Sequence, residues 1–81
     1  MGAEGLEHAL VALLGETSVN HFETGAPLVL RRGQLGTIVM VYGEDAVEVE
    51  FADREGRTYA LLYVARDDVM LLRESPEHAV A

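Results

Sequence analysis

The sequence predicts an all-β fold, a small and strongly curved antiparallel barrel of about five short strands with one helical turn before the last. Three observations carry this. Residues 33–64 read as three consecutive strands joined by two tight turns, each containing a glycine. Ala46-Val47-Glu48-Val49-Glu50-Phe51 alternates apolar and polar residues. Short strands separated by closely spaced glycine turns suit a barrel better than a sandwich.

Met1–Gly5 is small and polar, and Glu74–Ala81 carries Pro76 and has no periodicity. Residues 1–5 and 74–81 are therefore expected to be flexible ends of a single domain spanning 6–73. Leu6–Leu14 is ambiguous. Leu6, Ala9, Leu10, Leu13 and Leu14 match helical spacing with Gly15 as a stop, while His8–Leu14 also fits a short buried strand. Glu16–Pro27, rich in Thr, Ser, Asn and Gly, reads as a loop, and Leu28–Leu30 leads into the first clear strand.

Gly33 and Gly36 suit a tight turn followed by a close backbone approach. Thr37–Tyr42 is a β-branched run, and Gly43-Glu44-Asp45 makes the next turn. In the strand that follows, Val47, Val49 and Phe51 point inward and Glu48 and Glu50 into solvent. Asp53-Arg54-Glu55-Gly56 is a type I turn with Gly56 at positive φ. Thr58–Val64 is apolar or aromatic on both faces, Ala65-Arg66-Asp67-Asp68 forms the helical turn, and Val69–Leu72 is the last strand.

The chain has 81 residues, no cysteine and 49% apolar residues, so the core has neither disulfides nor thiolate-bound metal to supplement it. Its N-terminus lacks the pattern of a secretory signal, and no apolar run approaches the ~20 residues of a membrane span. A cytoplasmic, soluble protein is expected. The formal net charge is −8, from 14 acidic and 6 basic residues, so the mean field repels phosphate backbones and anionic lipids.

The stretch from His8 to Leu72 resembles the uncharacterised bacterial family numbered four-nine-two-six among domains of unknown function. The likeness is carried above all by Arg32-Gly33-Gln34-Leu35-Gly36-Thr37-Ile38-Val39, Glu48-Val49-Glu50-Phe51 and Gly56-Arg57-Thr58-Tyr59-Ala60-Leu61-Leu62. The Gly-x-x-Gly start is also similar to that of SH3-like barrels and KOW modules. The resemblance implies an SH3-like barrel whose first strand is Ala9–Leu14, with no assigned activity. Some members resembling this chain are carried on mobile elements or beside toxin-like genes. The chain departs from the family pattern in a longer 16–27 loop and in Met40 and Tyr63, where relatives place polar residues.

Catalysis is not expected. His8, His21 and His78 lie 13 and 57 positions apart, without a second ligand at metal-site spacing. None of Thr17, Ser18, Thr24, Thr37, Thr58 and Ser75 lies in a nucleophile elbow. Glu48 with Glu50, and Asp67 with Asp68, read as solvated pairs with nothing to raise a carboxyl pKa. No cofactor or metal is expected.

The apolar residues favour association. A barrel of this size has one interior, so whichever parity of Thr37–Tyr42 and Thr58–Val64 faces inward, the other is too apolar to leave wet. Met40, Tyr59, Leu61 and Tyr63 are the expected protein-contact residues, in a homo-oligomer or against a protein from an adjacent gene. One form of the latter is the acidic, neutralising member of a toxin–antitoxin-like pair. The competing reading of these residues is that the 16–27 loop, with Val19 and Phe22, folds over the face as a lid. The alternative functions are a KOW-like RNA-binding module using Arg31, Arg32 and Tyr42, and an accessory subunit docking on an enzyme.

Overall fold

The computed structural model describes residues 6–77 and Ala79. The expected flexible segment 1–5 and His78 lie outside them. The strands are β1 (Leu10–Leu13), β2 (Thr17–Asn20), β3 (Pro27–Leu30), β4 (Leu35–Tyr42), β5 (Ala46–Ala52), β6 (Thr58–Ala65) and β7 (Val69–Leu71). A 3-10 turn, Arg66–Asp68, precedes β7. Five strands form one antiparallel sheet in the order β6-β5-β4-β1-β7, and β2 and β3 pair separately as a hairpin.

The ambiguous N-terminal segment is a strand. Ala9 N–H donates to Leu6 O, but this start of a helical turn ends at His8, whose φ is +71°. Histidine is among the non-glycine residues that tolerate this left-handed region. The chain then extends along β4, with His8 N–H donating to Ile38 O and Ile38 N–H to Ala9 O.

The expected 16–27 loop contains half of a hairpin, and Leu28–Leu30 completes that hairpin rather than leading into the next strand. Thr17 pairs with Leu30 and Asn20 with Pro27. At the tip, His21 Nδ1 accepts hydrogen bonds from the N–H groups of Glu23 and Thr24 at 3.0 and 3.3 Å, and Gly25 takes φ +75°. Val19 and Leu30 turn inward onto the core. With Thr, Ser and Asn around Val19, β2 carries no apolar alternation for periodicity to detect.

The core is Val11, Leu13, Leu30, Ile38, Val47, Val49, Phe51 and Ala60. Val47, Val49 and Phe51 alternate inward along β5 as expected, and all three are fully buried. The Asp53–Gly56 turn also forms as expected, with Asp53 Oδ1 accepting from the Glu55 and Arg57 N–H groups. Gly36 is the expected point of close approach. A Cβ built there would lie 2.5 Å from Val49 Cγ1 and 2.8 Å from the Phe51 ring.

Two register shifts depart from simple alternation. Ile38 pairs with Val49 and Met40 with Glu48, so Val39 is an extra residue in β4. Ile38 and Val41 therefore both turn inward, while Thr37, Met40 and Tyr42 share the outer face. The expected grouping of Thr37, Val39 and Val41 on one face does not survive this bulge. In β6, Phe51 pairs with Ala60 but Ala52 with Thr58, which leaves Tyr59 as the extra residue.

Gly36→Ala is expected to cost about 1–3 kcal/mol, because the new methyl group overpacks against two core side chains. Gly15 has no atom within 4 Å of an added Cβ, and Gly15→Ala is expected to stay within about 0.5 kcal/mol of the parent. Chemical denaturation of the two variants checks both; equal midpoints would remove the close approach at Gly36.

Candidate protein-contact surface

Residues directly opposite in an antiparallel pair project from the same side of the sheet, so the register assigns the faces. Met40, Glu48 and Tyr63 form one row across β4, β5 and β6. Leu10, Thr37, Glu50 and Leu61 form the next, from β1 to β6. These rows lie on the outer face, opposite the core set of Ile38, Val47, Val49 and Ala60. Tyr63 is 67% exposed, Met40 and Tyr42 44% each, and Leu61 38%. The doubly apolar character read in Thr58–Val64 is real: Ala60, Leu62 and Val64 pack inward while Leu61 and Tyr63 face out.

The expected contact set divides at the second bulge. Met40, Leu61 and Tyr63 lie together on the outer face, but Tyr59 is carried away from them. Its ring lies 6.4 Å from that of Phe51, and its hydroxyl accepts a hydrogen bond from Gln34 Nε2 at 2.8 Å. Tyr42 takes its place, with its ring 5.2 Å from the Tyr63 ring and tilted by 54°. Tyr42 shares Met40's side of β4 by simple alternation, so its place here was within reach of the sequence, although it was expected only in the RNA-binding set.

The hairpin does not cover this face. Val19 packs on the core side, and Phe22 reaches only the end of β6, where its N–H donates to Tyr59 O. Among the described residues nothing covers Tyr63, Met40 and Leu61.

Glu48 and Glu50 are half-buried rather than freely solvated. Glu48 lies between Met40 and Tyr63 and Glu50 between Thr37 and Leu61, and each accepts a hydrogen bond, Glu48 from the Tyr42 hydroxyl at 3.0 Å and Glu50 from the Thr58 hydroxyl. The Tyr42 bond, together with the charge of Glu48, raises the pKa of that phenol above the ordinary tyrosine value. The outer face is thus an apolar and aromatic surface with two carboxylates at its centre.

The residues of the RNA reading are not brought together. Arg31 and Arg32 precede β4 and Tyr42 ends it, and an eight-residue strand spans roughly 26 Å at ~3.3 Å per residue. Arg31 is paired with Glu16 at 2.8 Å. Arg32 borders a shallow groove with Gln34, Asp53, Arg54 and Tyr59. His21 is occupied in its own turn, and among the described residues no three His, Cys, Asp or Glu side chains are grouped to hold a metal ion.

A family model described as Domain of unknown function (DUF4926) matches residues 7–71. No curated protein and no solved structure matches the chain.

Replacing Glu48 by Gln removes the charge beside Tyr42, and the Tyr42 phenol is then expected to ionise at lower pH than in the parent. An alkaline titration of the Tyr42 ring signals by NMR checks this. An unchanged curve would show that the Glu48 contact does not persist in solution.

Proposed function

We propose that the chain, which belongs to the DUF4926 family of domains of unknown function, is a non-catalytic protein-contact module that associates with itself. The observation that carries this is the uncovered outer face of β4 to β6, where Met40, Tyr42, Leu61 and Tyr63 lie exposed. Aromatic residues and methionine are enriched in interface cores, and contiguous apolar surface of this kind marks contact sites. The carboxylates of that face point away from catalysis. Glu48 and Glu50 lie on an open sheet face, and each is bound by a hydroxyl instead of sharing a proton across a closed cavity.

The strand order β6-β5-β4-β1-β7, with a 3-10 turn before the last strand and a hairpin inserted between β1 and β4, supports an SH3-like barrel. Barrels of this kind work by presenting surfaces. A net charge of −8 suits the same module to a basic partner, as an accessory or neutralising subunit, in a reducing cytoplasm.

Tyr63→Glu is expected to weaken self-association by about 2 kcal/mol or more, because an unpaired charge is forced into the contact. Light scattering across a concentration series measures this, with circular dichroism confirming that the variant folds. Two copies of the same acidic chain repel, so added salt is expected to strengthen self-association, whereas it would weaken binding to RNA or to a basic protein. A parent chain that stays monomeric at millimolar concentration would overturn self-association.

A further inference from the structure

β6 is one edge of the five-stranded sheet and β7 the other. They are unlike. β7 has three residues and follows directly on the 3-10 turn, a short edge of the kind that resists pairing. β6 has eight, Thr-Tyr-Ala-Leu-Leu-Tyr-Val-Ala, with no proline, lysine or other charge along it. A bulge and Phe22 interrupt this edge at Tyr59, but residues 60–65 carry no proline, charge or bulge to blunt it.

The backbone shows which groups on this edge are free. Arg66 N–H is turned toward β5, where it donates to Asp45 O, and Tyr59 O is turned away from β5, where it accepts from Phe22. Backbone groups alternate sides along an antiparallel strand, and both ends give the same phase. Leu61, Tyr63 and Ala65 therefore turn their N–H and C=O groups outward from the sheet. The β2–β3 hairpin lies close to β6 and bonds it at Tyr59 through Phe22, with no backbone hydrogen bond to residues 61–65, so an added strand pairs only there.

Resting on the self-association proposed above, we infer that a second copy of this chain docks on the β6 edge. Two β6 strands pair antiparallel about a two-fold axis at Tyr63. Opposite residues must share a face, and the outward groups must meet one another. Placing Tyr63 opposite the partner's Tyr63, and Leu61 opposite the partner's Ala65, satisfies both conditions. It joins the free groups in about six backbone hydrogen bonds and ends the pairing short of Phe22. A register centred on Leu62 instead brings the partner's Ala65 onto Tyr59, whose carbonyl is already used.

Charge favours the edge over the face. Stacking two outer faces would set Glu48 and Glu50 of one copy against those of the other, on rows that contain no basic residue. Edge pairing adds no charge to the contact, because Thr58–Ala65 is neutral throughout. It also brings two Tyr42–Tyr63 ring pairs together across the axis and continues the outer face from one subunit into the next.

Amide hydrogen exchange by NMR at low and high protein concentration tests this. The Leu61, Tyr63 and Ala65 amides are expected to exchange freely in the monomer and to gain at least tenfold protection in the dimer, whereas Ala60, Leu62 and Val64 are protected in both. A dimer in which the first three amides stay unprotected would overturn edge pairing and leave association through the outer face standing; a chain with no dimer at all would overturn both. Ala65→Pro is the matching variant, since φ of Ala65 is −67° and proline fits there while removing only an outward N–H. It is expected to weaken dimerisation at least tenfold with the fold retained. A folded Ala65→Pro that dimerises like the parent would count against the inference, and if the variant does not fold, the amide protection of the parent decides.

Discussion

A core of eight buried side chains can take only one face of each strand, and one added residue, Val39, decides which face of β4 it takes. Without the bulge, Ile38 and Val41 would point to opposite sides. With it, both pack inward against β5, and Met40 and Tyr42 are left outside together. The close approach at Gly36 belongs to the same constraint. It lets β4 press on Val49 and Phe51 at the point where a larger residue would hold the strands apart. Interior order and outer apolar surface are thus two results of one packing problem.

The outer face is apolar, but its carboxylates limit what can sit on it. Glu48 and Glu50 are held by Tyr42 and Thr58, which keeps them upright in the middle of the rows. A partner covering them must offset their lost hydration, and a second copy of the same face brings like charge and no cation. The neutral edge of β6 carries no such demand. A subunit that pairs through the edge keeps the carboxylate-bearing face available for a basic partner, so self-association and binding of another protein need not compete.

Much of the fold was legible because local chemistry and tertiary structure agree. The strict alternation of Val47, Val49 and Phe51, the glycine turns at Gly33, Gly43 and Gly56, and the helical turn before Val69 all follow from rules that act over a few residues. What could not be read depends on residues that carry no local signal. β2 is polar and gains its strand character from pairing with Pro27–Leu30. The bulges at Val39 and Tyr59 are invisible to a period of two, and the second accounts for the misplacement of Tyr59; Tyr42, two residues from Met40, shares its face by alternation alone and was legible. Met40, Leu61 and Tyr63 were legible because each is too large and apolar for the position that alternation gives it.

The first strand of the sheet lies between the fourth and the last, paired with Thr37 on one side and with Leu71 on the other. On the ribosome, the meander of β4, β5 and β6 can form soon after it emerges, since its neighbours are adjacent in the chain. β1 emerges earlier still, yet it has a partner on only one side until the final strand leaves the exit tunnel. Completion of the sheet therefore waits on the synthesis of β7. A nascent chain halted before residue 69 would display a second bare edge beside that of β6, in the form most open to capture by a chaperone or by another copy of itself.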